Sequence, residues 1–160
     1  MKTQYDVDIN NVNEFGPLDS ATAFEMLLTW KTREKMLKDG FARQVNPDID
    51  SSTAGVFPND ELHHWTRDSF GPLWIPRKGA SIQLTSLNYP VYERIIRTYE
   101  GNKLDMRDGK IYINGRQETS YTFKMNYYWV LGDNLHGSQD SRFWGFVPED
   151  HIIGKVSMTF

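Results

Sequence analysis

The chain contains no cysteine, which excludes disulfides, thiolate metal sites and cysteine nucleophiles. It also contains no apolar run near the roughly 20 residues that span a bilayer, and residues 1–10 have no signal-peptide hydrophobic region. The 18 Lys and Arg against 21 Asp and Glu include no long basic run, so we expect no nucleic-acid partner. These absences leave a globular chain, soluble by itself, with one core or one core plus a small appendage.

The common catalytic and cofactor motifs are also missing. We find no H-E-x-x-H, no G-x-S-x-G, no S-x-x-K and no glycine-rich phosphate loop. Asp60, His63 and His64 would meet only on one helical turn, whereas the Pro- and Trp-rich stretch around them favours a loop. We therefore expect no metal and no cofactor.

The first part of the chain predicts a β-β-α-β segment. Residues 5–9 alternate with period two, residues 23–28 form a second apolar stretch, and residues 41–45 resemble a returning strand. Between them, Thr29 suits a helix N-cap and Gly40 a helix end, although one longer helix over 18–39 also fits. Residues 46–58 have the composition of a linker, so we place a boundary between an inserted segment, 1–58, and a second region, 59–160.

The second region predicts mainly strands. A strand at 81–85 is followed by a helix that begins at Asn88 and ends at Gly101, with its apolar face at Val91, Ile95 and Tyr99. Two turn dipeptides, Asp108-Gly109 and Asn114-Gly115, separate alternating segments and predict a three-stranded meander. We expect two more strands at 127–131 and 152–160, with a polar loop and a short aromatic strand between them.

The polar loop, residues 132–142, is the densest group of functional side chains. Asp133 and Asn134 suit an Asx-type turn, and Asp140 with Arg142 can form an ion pair on one face of a strand. Spacing alone favours a well-capped hairpin here and does not indicate an enzyme.

Residues 128–149, with Ile153-Gly-Lys155, resemble the C-terminal conserved box of bacterial type I signal peptidases, G-D-N-R-x-x-S-x-D-S-R-x-x-G-x-V-P. The segments 67–79, 99–104 and 109–115 further resemble Bacteroidetes-type enzymes, in which an extra segment precedes the box. The resemblance implies an α+β fold, mainly β: an antiparallel signal-peptidase-like core with two short helices and the inserted β-β-α-β segment.

The resemblance also implies roles for particular residues. Ser138 matches a family serine whose hydroxyl orients the catalytic lysine, and Asp140 with Arg142 match a supporting salt bridge. Leu135 and Gly137 depart from the family's usual Arg and Asn. The remaining matched positions shape the loop: Gly132, Asp133, Asn134, Ser141 and Gly145.

The family cleaves signal peptides from exported preproteins with a serine nucleophile and a lysine general base. Neither the S-M-x-P-T-like nor the K-R-x-x-G-x-P-G-D motif occurs here, since Ser157-Met158 is followed only by Thr-Phe. We therefore expect the C-terminal extracytoplasmic portion of a signal peptidase I, inactive by itself. Its missing anchor would attach it to the periplasmic face of the bacterial inner membrane, and exposed sheet edges would permit a dimer.

Two alternatives stay open at this point. A free-standing, catalytically dead relative would bind or regulate preproteins or another peptidase. An unrelated carbohydrate- or ligand-binding β domain would use the five Trp and eight Tyr, although aromatic residues more often fill cores.

Overall fold

The computed structural model describes residues 5, 12–18, 21–26 and 28–154, and the chain divides into two compact units, Met1–Ile49 and Asp50–Phe160. The division falls after Ile49, within the predicted linker and ahead of the predicted boundary at 58. Both units combine antiparallel strands with short helices, so the predicted α+β class, mainly β, is confirmed. Within the described residues, no helix has the length and apolar composition to cross a membrane.

The described residues of the first unit include a hairpin and a helix. Strand β1, Val12–Leu18, pairs antiparallel with β2, Ala21–Met26, and helix α1 spans Trp30–Lys38. Thr29 is the N-cap, since its hydroxyl accepts a hydrogen bond from Thr32 N at 3.1 Å, and Gly40 follows the helix with φ +70°. The predicted helix and its cap are thus confirmed.

Several predictions for this unit need correction. The strand expected at 5–9 lies outside the described residues except for Tyr5, which is in a turn. No strand forms at 41–45, because the amides of Phe41 and Ala42 turn back to Met36 O, at 3.0 and 3.2 Å, and close the helix end. The alternative of one helix over 18–39 is wrong, since 21–26 is a strand.

The second unit begins with a long irregular segment, as predicted for residues up to 58. Strand β3, Ser81–Gln83, pairs with the later strand β7, Ser120–Thr122. Helix α2, Tyr89–Arg94, continues into one π-helical turn, Ile95–Tyr99. Asn88 is its N-cap by position, but its Oδ1 accepts from Thr85 N at 2.8 Å instead of capping a helix amide.

The predicted meander is confirmed. Strands β4, Leu104–Arg107, β5, Lys110–Ile113, and β6, Arg116–Gln117, form one antiparallel sheet. Both connecting dipeptides have positive φ at each position: 49° and 72° at Asp108-Gly109, and 53° and 82° at Asn114-Gly115. Those angles are the ones a type I′ turn requires, and Asn, Asp and Gly adopt them most readily.

The core of the second unit lies between α2 and the strands. Phe123, Ile95 and Ile96 are almost fully enclosed. The rings of Tyr92 and Tyr127 each pack against Phe123 and against Phe146, at centroid distances of 5.7 to 6.4 Å and mostly edge to face. This aromatic core supports the segment in which the predicted site lies.

The last elements differ from their prediction. Strand β8 is only Tyr127–Tyr128, paired with β9, Val147–Pro148, and helix α3, Ser141–Trp144, lies in between. The strand expected at 127–131 stops early because Val130 bonds through both its N–H and its carbonyl to Ser141, the first residue of α3. A one-turn 3₁₀ helix, Glu149–His151, ends in a bond from Ile152 N to Glu149 O, and 152–154 form no strand. Residues 155–160 lie outside the described part.

Candidate functional site

The Ser138 loop, residues 132–140, connects the segment after β8 to α3. At its exposed tip, Asn134 N donates to Asp133 Oδ1 at 3.1 Å. Gly137 N donates to the Asn134 carbonyl at 3.1 Å and to its Oδ1 at 3.3 Å. Asp133 and Asn134 thus form the turn that their residue types favour, and they leave the base of the loop to other side chains.

The base of the loop is an ion pair at the start of α3. Asp140 Oδ1 accepts hydrogen bonds from Arg142 Nε at 2.9 Å and from Arg142 N at 3.1 Å, while Oδ2 accepts from Nη2 at 2.8 Å. The predicted pair exists, but at a helix N-terminus rather than on a strand. Asp140 is the N-cap of α3, and a carboxylate there is favoured by the free amides of the first turn.

Both members of this pair are buried: Asp140 is 3% exposed and Arg142 4%. The Arg142 side chain is the main reason that the pKa of Asp140 lies well below its usual range; burial opposes this, and the N–H groups of Gly132 and Arg142 support it. The hydrogen bond to Asp140 in turn raises the pKa of Arg142. The carboxylate therefore stays ionised and is a poor proton acceptor.

Ser138 and Gly132 meet at this carboxylate. Gly132 N donates to Asp140 Oδ2 at 3.1 Å, and the Ser138 side chain helps to lower the pKa of the same carboxyl group. A Cβ atom at position 132 would lie 2.3 Å from Ser138 Oγ and 2.7 Å from its Cβ, so only glycine fits there. Three residues that the resemblance selected are therefore brought together with Arg142.

Ser141 and Gly145 have a structural role in α3. Ser141 is fully buried, and its Oγ accepts from Val130 N at 3.0 Å while its N–H donates to Val130 O at 3.1 Å. Gly145 has φ +87°, and a Cβ there would lie 2.6 Å from the ring of Phe57. These residues fix the two ends of the helix and lack a free reactive group.

Chemically, Ser138 is suited to accept a hydrogen bond and is not an activated nucleophile. A hydroxyl has one proton to donate and two lone pairs to accept with. The carboxylate that Ser138 influences, Asp140, is ionised and already bonded to Arg142 and Gly132, and so weak a base cannot activate the hydroxyl oxygen. A hydroxyl oxygen can accept a hydrogen bond from an ammonium or amine.

Contacts from a distant segment complete the site, and sequence reasoning missed them. Arg142 Nη1 donates to the carbonyl of Arg67 at 3.0 Å, and its Nη2 donates to the carbonyl of Leu135. Arg67 Nη1 in turn donates to His136 O at 3.2 Å. Arg67 is 69 residues from His136, and no local spacing or motif signals such a contact.

The histidines considered for a metal site are placed differently. His63 Nδ1 pairs with Asp60 Oδ2 at 2.9 Å, and its ring packs on Trp65, whereas His64 is exposed. Among residues 5, 12–18, 21–26 and 28–154, no three His, Cys, Asp or Glu side chains are grouped as metal ligands would be.

Part of the chain is similar to a known protein family. Residues 116–160, which include the Ser138 loop and α3, match the family model described as "Signal peptidase, peptidase S26". No solved structure gives a significant match to the chain.

Parts of the chain are also similar to curated signal peptidases and to a processing peptidase. The chain is 33% identical to the signal peptidase I of Leptolyngbya laminosa over 98 residues, which cover 53% of this chain and 48% of that protein. It is 59% identical to the signal peptidase I of Aquifex aeolicus over 34 residues, or 21% and 13% of the two chains. It is 32% identical to the chloroplastic thylakoidal processing peptidase 1 of Arabidopsis thaliana over 91 residues, or 43% and 26%.

The matched segments span half or less of these relatives. The family model matches fewer than half of the chain's residues, so the comparisons show a similarity to signal peptidases over part of the chain.

Proposed function

We propose that this chain is the C-terminal extracytoplasmic portion of a signal peptidase I that cleaves signal peptides from exported preproteins. In this proposal the serine nucleophile and the lysine general base lie outside these 160 residues, and the Ser138 loop supports the lysine. By itself the chain does not hydrolyse a preprotein.

The position of Ser138 beside the ion pair of Asp140 and Arg142 is the observation that carries the proposal. A lysine general base must be neutral near physiological pH, which requires burial and an acceptor that fixes the position of its nitrogen. Ser138 helps to lower the pKa of the Asp140 carboxyl group, and the lone pairs of its hydroxyl oxygen can accept a hydrogen bond from such a nitrogen. Asp140 is neutralised by Arg142, so it would not hold the lysine in its charged form.

The remaining parts of the proposal concern the complete protein. We place it at the periplasmic face of the bacterial inner membrane, attached through an N-terminal anchor, with preprotein signal peptides as its partners. Residues 1–58 would be the inserted segment of a Bacteroidetes-type enzyme. Exposed strand edges in the isolated portion would permit dimers.

An activity assay tests the catalytic assignment. The purified chain and its Ser138→Ala variant are incubated with a fluorogenic peptide that carries a signal-peptidase cleavage site. We expect no turnover above buffer from either protein. Turnover by the wild type would contradict the proposal. If Ser138→Ala abolished that turnover, Ser138 would be the nucleophile; if the variant kept it, the chemistry would lie elsewhere.

Cell fractionation distinguishes the proposal from a free-standing, inactive relative. An antibody against the second unit is used on fractions of source cells. A membrane-bound band well above the mass of 160 residues supports a portion of a working peptidase. A soluble band at the mass of 160 residues would overturn the proposal in favour of a separate binding or regulatory protein.

A further inference from the structure

Asp50, Arg67 and Asp68 form a connected group around His136 of the Ser138 loop; we call these four residues the loop clamp. Arg67 Nη2 lies 3.0 Å from Asp50 Oδ2, and Asp50 N donates to Asp68 Oδ2 at 2.6 Å. Asp68 Oδ1 lies 2.9 Å from His136 Nε2, and Arg67 Nη1 donates to His136 O at 3.2 Å. The contacts make a closed ring that holds the backbone and side chain of one loop residue.

The loop clamp is also joined to the buried ion pair. The Arg67 carbonyl accepts from Arg142 Nη1 at 3.0 Å, so the main chain at Arg67 contacts the guanidinium that neutralises Asp140. Arg67 therefore reaches the Ser138 loop by two routes: its side chain bonds to His136, and its carbonyl bonds to Arg142.

The conformation of Arg67 is costly in one respect. Its Nε is buried and has no hydrogen-bond partner among the described residues. An unpaired buried donor opposes folding. The guanidinium thus lies where its two Nη atoms reach Asp50 and the His136 carbonyl, and its Nε is left without a hydrogen bond.

We propose that Arg67 and Asp68 are positioning residues for the Ser138 loop: they fix His136, and through it and Arg142 they fix the orientation of the Ser138 hydroxyl. The consequence for catalysis rests on the proposed function. The position of the loop is independent of the proposed function and is measured without substrate.

Hydrogen exchange of the complete chain tests this. Arg67→Lys keeps the positive charge that faces Asp50. A single ammonium group cannot replace the two Nη atoms of arginine, which reach Asp50 and the His136 carbonyl separately. In Asp68→Asn, the carboxylate that contacts His136 Nε2 is lost. We expect the amides of Gly132 and Gly137 to exchange about tenfold faster or more in both variants, while the amides of β5 keep their wild-type rates.

Asp105→Asn is the matched control, because Asp105 forms an exposed pair with Arg107 at 3.3 Å on the meander. It should leave the loop amides unchanged. Unchanged loop amides in both clamp variants would overturn the proposal. So would equal acceleration in β5, since the residues would then stabilise the whole unit and not the loop.

A carboxyl titration gives a readout that depends on the contact itself. Burial raises the pKa of Asp68, but hydrogen bonds from Asp50 N–H and His136, with the charges of His136 and Arg67, bring it below its usual range. In His136→Asn, followed by ¹³C NMR, we expect the pKa of Asp68 to move up towards its ordinary value. An unmoved Asp68 titration would show that the contact is absent in solution and would overturn the clamp.

Failure of these measurements would leave the peptidase assignment standing. Failure of the cleavage and fractionation experiments would leave the clamp standing.

Discussion

The meander, residues 104–117, and the Ser138 loop, residues 132–140, both place polar residues between apolar segments, but they are held in different ways. The meander is made by neighbours in sequence: its turns are two dipeptides with positive φ, and its strands pair with adjacent strands. The loop is held by a buried ion pair, a glycine contact and a segment 69 to 75 residues away. Local turn residues determine the conformation of the meander, whereas tertiary contacts determine that of the Ser138 loop.

The largest expected effect comes from removing one charge of the buried pair. Arg142→Ala leaves Asp140 as an unpaired buried carboxylate, and we expect a loss of about 3–5 kcal/mol in the free energy of unfolding. Urea denaturation measures it. Arg107→Ala on the meander removes an exposed pair and should change stability by less than about 1 kcal/mol. Equal losses would remove the distinction between the two regions.

Adding one methyl group to the loop sharpens the comparison. In Gly132→Ala the new Cβ meets both Oγ and Cβ of Ser138, and an overpacked site of this kind loses about 1–3 kcal/mol. Gly137→Ala is the control, because its Cβ meets the amide group of Asn134, the end of a side chain that can rotate away. Denaturation curves and the Ser138 resonances should change more at position 132; a larger change at position 137 would contradict the packing described here.

Acid should act on the loop before the meander. Because the pKa of Asp140 is lowered in the folded chain, its contribution to stability is present above the unfolded value of about 3.9 and is lost as pH falls towards the folded value. Below about pH 4, Asp140→Asn should therefore show a smaller slope of unfolding free energy against pH, by up to about 1.4 kcal/mol per unit. Urea curves between pH 2 and 7 measure it, and identical slopes would contradict the prediction.

The effect expected to spread least is a local change in the meander. Asn114 has φ +53°, and its Oδ1 accepts from Lys103 N at 2.9 Å. Asn114→Ala should lose about 1–2 kcal/mol, because alanine is strained at positive φ. Asn114→Gly should recover part of that loss. Hydrogen exchange should increase in β4 and β5 and stay unchanged at Gly132 and Gly137; a response of the loop would show that the regions are coupled.

This difference explains what could be predicted from the sequence. The meander, helix α1 and its Thr29 cap follow from dipeptides and periodicity, which act over a few residues. The Asp140 and Arg142 pair could be predicted from spacing, but its place on a helix could not. Helix α3 has only four residues and begins where Asp140 caps it, which leaves no periodicity to detect.

The resemblance predicts supporting residues only within the loop and α3. Ser138, Gly132, Asp140 and Arg142 lie close together, and their roles in catalysis stay predictions. Asp50, Arg67 and Asp68 were not assigned a role, since their partners are distant in sequence. Likewise, residues 41–45 resemble a returning strand, but the backbone bonds that close helix α1 take up the amide of Phe41.

The packing around Glu100 has a consequence for alkaline solution. Tyr121 and Tyr127 both donate their hydroxyl protons to the Glu100 carboxylate, Tyr127 at 2.9 Å to Oε1. Burial, followed by the hydrogen bond and charge of Glu100, raises the pKa of both tyrosines, so the stability they contribute is present below about pH 10 and is lost as pH rises through their folded values. Acid therefore destabilises the second unit where it protonates the Asp140 carboxylate. Strong alkali destabilises it where it removes the tyrosine protons that the Glu100 carboxylate accepts.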